Sequence, residues 1–394
     1  MRIRGALVAV LFACAAVLGG TAIARSAVLE PYELNAIIPL TGGGAFLGKS
    51  YVETFRAIEL TVNATGGIQG HPLKFVTADT QTNGHTDVQL VNGLIAKHVP
   101  VFIDGAPSAV CLPSIPLVLA SGPVDYCLSP VIHPAAGSYV FSSSASTVDL
   151  ATVCIRFLRE HGWKRLATIA STDATGLEYD KQMTTILALP ENHDVQMLMQ
   201  EHFSPSDLSV NAQLSRIKGV NPQAVLVFTT GTPLGTVLRG LNDAGITAPV
   251  MTINSNMTYA QMSAYAAFLP KEFYFSTLRS LTPDGTLSGP LRDAQTAYLK
   301  AYRSINVWPD VGDVLAYDPT MIVIDALRHL GPRATAPQIR DYILHLHGWV
   351  GANGVYDFSS GDQRGIGQSA IVVARWSPAK NTWTQVSRPR GFLK

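Results

Sequence analysis

The residues that could do chemistry fall into a few small groups. Gly43 to Ser50 fits G-x-x-x-x-G-K-S. Backbone N–H groups of such a loop can cradle phosphates, with Lys49 reaching them and Ser50 holding Mg²⁺. Val101-Phe102-Ile103-Asp104 adds an apolar run ending in an acid. A second group, Thr230 and Thr232, follows the run Ala224–Phe228, at what would be the carboxyl edge of a strand, where open α/β sheets bind ligands. A third is Cys111 and Cys127 in a Pro- and Ser-rich stretch. Signatures of catalysis are absent: there is no G-x-S-x-G, H-E-x-x-H, G-x-G-x-x-G or C-x-x-C. The ten histidines are scattered, and no His/Cys set has metal-ligand spacing. No catalytic residue, metal or cofactor is therefore expected.

Short β-branched runs alternate with amphipathic helical stretches. Strands are expected at Leu34–Ile38, Leu73–Ala78, Val99–Ile103, Leu117–Leu119, Leu166–Ala170, Ala224–Phe228, Val250–Ile253 and Phe273–Phe275. Helices are expected at Ser50–Asn63, Thr86–Lys97, Val148–His161, Glu178–Leu187, Leu208–Lys218, Pro233–Ala244, Thr258–Ala266, Pro290–Ser304, Tyr317–Leu330 and Ala336–Leu346. This alternation predicts βαβ units and parallel sheets covered on both faces. In the helix from Val148, Thr147 can cap the N-terminus. A strand–turn–strand ending is expected from Val355–Phe358 and Ala370–Trp376.

A chain of 394 residues suggests about two domains. Hydrophobic residues at 47% and charged residues at 14% describe a globular chain, and a formal charge of +1 gives no electrostatic case for nucleic acid. Arg2 and Arg4, the apolar run Ala6 to Leu18 and Ala22-Ile23-Ala24 make a secretory signal peptide over 1–24. An uncleaved anchor, or a lipoprotein signal ending at Cys14, are the alternatives. Cleavage after Ala24 leaves 370 residues (394 − 24) and, with two arginines gone, a charge near −1. Export places the chain in the periplasm, where nucleotides are scarce, which argues against the phosphate reading of Gly43 to Ser50. The oxidising compartment also allows Cys111 to pair with Cys127, worth about 3 kcal/mol. Cys154 lies on an apolar helical stripe and reads as a buried thiol.

With these residues in hand, the chain resembles exported type I solute-binding proteins of the leucine/isoleucine/valine-binding family. The resemblance rests on Ile38-Pro39-Leu40-Thr41-Gly42 with Gly48, on Asn63 to Leu73, on Asp79-Thr80-Gln81, on Gly245 to Pro249, on Tyr317-Asp318 and on Gly354 to Phe358, all in order. It implies an α/β fold of two Rossmann-like doubly wound lobes joined by three hinge crossings, with lobe 1 at 28–145 plus 277–352 and lobe 2 at 146–276 plus 353–390. It implies a small solute held between the lobes, a membrane permease of an ABC importer as partner, and a monomer. A secreted P-loop NTPase and a ligand-sensing domain for a receptor are the competing functions.

Carried over position by position, the resemblance places Ser108, with Ala109, where a ligand carboxylate is held. Ser121 or the Gly122 N–H stands at the second such site, because Pro123 falls where a hydroxyl is usual. Leu47 is expected to face the cleft from the opening loop. Thr175 replaces an aromatic residue before Gly176, and Asn254 stands where amino-acid binders place an acid for the ligand ammonium. Thr230 completes the expected set. A buried ammonium without a carboxylate partner is costly, so the expected ligand is an organic or aromatic acid, an amide or a similar small polar compound.

Overall fold

The computed structural model describes residues 29–282, 285 and 287–394; the expected signal segment at 1–24 lies outside the described residues. Two separate sheets organise the chain. The first is parallel, in the order β2-β1-β3-β4-β5, from β1 (Tyr32–Ile38), β2 (Leu73–Asp79), β3 (Val101–Asp104), β4 (Val124–Cys127) and β5 (Val140–Ser142). The second takes β6 (Arg165–Ser171), β7 (Gln196–Phe203), β8 (Ala224–Phe228), β9 (Val250–Ile253) and β10 (Phe273–Leu278). A two-stranded ribbon of β11 (His347–Val350) and β12 (Val355–Asp357) intervenes before β13 (Ile371–Ser377) and β14 (Thr382–Gln385) rejoin the second sheet, in the order β14-β13-β10-β9-β8-β6-β7. The chain passes between lobes after β5, after β10 and after β12. β10 stays paired in the second sheet to Leu278, two residues past the expected boundary at 276/277, and β11 and β12 pair with each other.

Helices cover both faces. Lobe 1 has α1 (Ala45–Ala64), α2 (Gly84–Ala96), and the short α3 (Ser108–Cys111) and α4 (Ile115–Val118). Lobe 2 has α5 (Thr147–Glu160), α6 (Ala174–Leu187), α7 (Asn211–Gly219), α8 (Thr232–Asp243) and α9 (Tyr259–Ala264). The chain then returns through α10 (Gly289–Ser304), α11 (Val311–Leu330) and α12 (Ala336–Leu344), which pack on α1 and β4 of lobe 1. In α1 the buried residues Leu47, Tyr51, Phe55, Ile58 and Val62 recur at three- and four-residue spacing, one apolar stripe laid on the sheet. Covered on both faces, β3 and β8 are buried at every position, as parallel strands must be.

Three expectations change. Leu117–Leu119 is not a strand: Pro116 sits in the first turn of α4, where its fixed φ suits a helix start, and the strand follows at Val124–Cys127. Ser146, not Thr147, caps α5, accepting from the Asp149 N–H at 3.1 Å; the Thr147 hydroxyl donates instead to Glu178 at 3.0 Å. The tail strands β12 and β13 do not pair with each other. One closes a ribbon with β11 and the other inserts between β10 and β14.

Candidate functional site

Carboxyl edges of both sheets converge on one cleft between the lobes. Lobe 1 supplies Leu47 of α1, Ala106-Pro107-Ser108 after β3 and Ser129-Pro130-Val131 after β4. Lobe 2 supplies Thr175 and Tyr179 of α6, Thr230 after β8, and Ile253 and Ser255 at the end of β9. Strand order reverses between β1 and β3, and again between β6 and β8, so these are the loops at the topological switch points. Close approach fixes two of them. A Cβ on Gly48 would lie 2.0 Å from the Pro39 carbonyl oxygen, and one on Gly176 would lie 1.8 Å from that of Ser171. Glycine lets α1 and α6 start hard against the strand exits, presenting Leu47 and Thr175. The cavity they leave is nearly closed, about 10 Å³, far below the size of an ordinary ligand pocket.

The wall carries no charged side chain. Ser108 Oγ and Tyr179 Oη are buried without a hydrogen-bond partner. The Tyr179 ring stacks on Phe228 with centroids 4.7 Å apart, and burial pushes its hydroxyl well above the ordinary tyrosine range, so it remains a neutral donor. The first N–H groups of α6 are already used, because Asp173 accepts from Thr175 and Gly176, both at 3.1 Å. Asn254, between the wall residues Ile253 and Ser255, is buried with both amide atoms unpartnered. Asn256, two residues on, is fully engaged with Gly231, Thr229 and Thr252. A buried polar atom left unmet costs about 1–3 kcal/mol, which a bound polar molecule would relieve.

Leu47, Ser108, Thr175 and Thr230 therefore come together. Ala109 faces outward, exposed on α3. Ser121 and Gly122 line a separate depression with His98, Pro100, Arg333 and Thr335, because Leu117 and Val118 are helix and residues 121–123 lead into β4 from its amino end. The carboxyl edge of β4 instead places Ser129 in the cleft. Thr232 lies on the outer side of α8 beside Arg239. Sequence reasoning missed Ser129, Tyr179 and Ser255. Tyr179 was findable, since it falls one helical turn after Thr175 on the same face. Cys111 and Cys127 are joined in a disulfide that ties α3 to the end of β4, the two sources of Ser108 and Ser129; Cys154 is free and buried.

The family model described as periplasmic binding protein matches residues 31–381. The chain belongs to the periplasmic binding protein family. No curated protein matches its sequence. Among solved structures, an extracellular ligand-binding receptor from Rhodopseudomonas palustris HaA2 aligns at TM-score 0.78 and 18% identity, over 91% of this chain and 100% of that one. The branched-chain amino acid transporter substrate-binding protein LivJ from Streptococcus pneumoniae, in complex with isoleucine, aligns at TM-score 0.74 and 16% identity, over 91% and 99%. An ABC transporter solute-binding protein from R. palustris in complex with benzoate aligns at 0.77 and 15%, over 92% and 97%. At these identities the likeness is one of fold.

In this periplasmic binding protein the G-x-x-x-x-G-K-S stretch is not arranged as a phosphate cradle. α1 already begins at Ala45. Lys49 projects into solvent, 78% exposed, with Glu53 3.9 Å away, and Ser50 Oγ donates to Asp310 at 2.8 Å. The cleft rims touch. The Val311 N–H donates to the Met257 carbonyl at 3.1 Å, His133 Nε2 of lobe 1 lies 2.7 Å from Glu178 Oε1 of lobe 2, and Gly231 abuts Gly43 and Phe46. Among the described residues no helix is long and apolar enough to cross a membrane, and no His/Cys/Asp/Glu group is arranged to hold a metal ion.

Proposed function

We propose that the chain is the solute-binding component of an ABC-type importer. Exported to the periplasm with its signal cleaved near Ala24, it acts as a monomer, captures a small polar solute by hinge closure and delivers it to a membrane permease. No chemistry occurs; a ligand that bridges both lobes stabilises the closed state by its differential affinity for it. The relatives that bind isoleucine and benzoate support capture of a small molecule between the lobes.

One observation carries the ligand class. The wall presents hydroxyls from Ser108, Ser129, Thr175, Tyr179, Thr230 and Ser255 and no carboxylate. Such a wall donates readily to a carboxylate or amide and offers nothing to neutralise an ammonium. The ligand is an organic or aromatic acid or an amide, with Leu47 and Ile253 against its apolar part and the unmet Asn254 amide at its remaining polar edge. Mass spectrometry of the co-purifying solute, followed by thermal-shift screening of acids, amides and amino acids, tests this. Stabilisation by leucine or glutamate, with none by acids or amides, would sink it.

A further inference from the structure

Arg364 lies in the third crossing, after β12, and is 3% exposed. Its guanidinium donates to Ser142 Oγ at 2.6 Å, to the Ser144 carbonyl at 3.2 Å and to the Ile132 carbonyl. All three acceptors are neutral. The acids around it are engaged elsewhere. Asp149 accepts from Ser146 and Gln368, and Glu178 from His133, Thr147 and Gln182. Asp362 is exposed and accepts the backbone N–H of Arg364 at 3.1 Å. Burial therefore outweighs these carboxylates, and the guanidinium is held below its ordinary range.

This cation stands directly behind the cleft wall. Ile132 follows the wall residue Val131, and the same Ser142 hydroxyl that accepts from Arg364 donates to the carbonyl of the wall residue Ser129 at 2.6 Å. A buried cation whose hydrogen bonds all go to neutral acceptors, with Asp362, Asp149 and Glu178 acting on it without a hydrogen bond to its guanidinium, remains costly unless a further opposite charge comes near, and the wall supplies hydroxyls but no anion. We infer that the ligand supplies the missing charge: Arg364 selects a small anion, a carboxylate without an ammonium, through its field across the wall and without touching the ligand. This rests on the reading of the cleft as a solute site. At an effective dielectric near 20 the attraction favours an acid over its uncharged amide on the order of tenfold.

Calorimetric titration at neutral pH with benzoate against benzamide, and isobutyrate against isobutyramide, tests this on the wild type, Arg364→Lys and Arg364→Met. The acid-to-amide affinity ratio should exceed about tenfold in the wild type, persist in Arg364→Lys and drop about tenfold in Arg364→Met with amide affinity nearly unchanged. Should Arg364→Met fail to fold by circular dichroism, Arg364→Gln, which keeps a donor for the carbonyls, replaces it. A wild type that binds amides as well as acids overturns the inference. So does equal loss of both probes in the variant, which would make Arg364 a staple between crossings and nothing more. Binding of no probe by the wild type counts against the reading of the cleft itself.

Discussion

Asp125 should be a residue whose removal stabilises the protein at neutral pH. It lies on β4 facing the same side as Cys127, toward Asp104 of β3 and Asp87 of α2, in the apolar cluster that includes Val91 and Phe102. All three acids are buried, with no cation among the groups acting on them. Neither Asp125 oxygen has a partner. Burial, then the Asp87 charge, raises its pKa well above the ordinary range; burial likewise raises Asp104, and Asp87 to about 6. A folded-state pKa above the unfolded one means that the folded chain holds a proton the unfolded chain releases. Stability therefore falls as pH rises from about 4 and stops falling only once the folded pKa is passed. The loss is about 1.4 kcal/mol for each pH unit between the unfolded and the folded pKa. Asp125→Asn removes that pH-dependent loss and leaves an amide to satisfy at about 1–2 kcal/mol, so the variant is the less stable by about 1–2 kcal/mol near pH 4, gains on the wild type as pH rises and overtakes it by neutral pH. Urea unfolding of both proteins from about pH 4 to about pH 8 measures the difference. Equal destabilisation of the variant at every pH would refute the reasoning, since it would mean a charged, well-partnered carboxylate.

Other tests bear on the cleft. The His133–Glu178 pair joins the lobes with His133 half exposed, so His133→Ala should cost about 0.5–1 kcal/mol and speed ligand release a few-fold by stopped flow. Burial would raise Glu178, but bonds from Gln182 and His133 hold it below the ordinary glutamate range. Its contribution is present above the unfolded pKa and lost as pH falls through the folded one, and an off-rate indifferent to both mutation and acid argues against a latch. Cys111→Ser with Cys127→Ser should lower unfolding free energy by about 3 kcal/mol and weaken solute binding, because Ser108 and Ser129 sit beside the bridge; unchanged urea midpoints with and without reductant would dismiss it. Ser108→Ala and Tyr179→Phe should each reduce affinity about tenfold while leaving the ligand-free melting temperature equal or higher, and full affinity in both removes these hydroxyls from the site.

Much of the frame is legible in the sequence. Ala224–Phe228 and Val250–Ile253 are strands to the residue as their patterns predict, because a continuous β-branched run bounded by turn residues has one good interpretation. Apolar runs near proline are less clear. Ile115-Pro116-Leu117-Val118-Leu119 suits a buried strand or a short helix equally, and only packing decides for helix, leaving Leu117 and Leu119 exposed. That one ambiguity displaces the expected site by a loop, from Ser121 and Gly122 to Ser129. β4 and β5 have no clear signature: β5 has only three residues, too few to show a period, and β4 stands beside the competing apolar run. The Asp125 of β4 disguises it further, since a buried acid breaks the pattern of a covered strand.

What the sequence alone determined is the alternation of strand and helix and the pairing of Gly turns with strand exits. These depend on neighbours a few residues apart, whose period and turn chemistry are written locally. What only the tertiary structure decided are the relations across the chain. Ser129 faces Tyr179 because two sheets present their carboxyl edges to each other. Asp87, Asp104 and Asp125 meet because α2, β3 and β4 turn the same face inward. Arg364 reaches the back of the cleft from a crossing more than two hundred residues after Ser142. Contacts of that span leave no periodic trace, because the residues that make them answer to one another's position in space and not to their place in a local repeat.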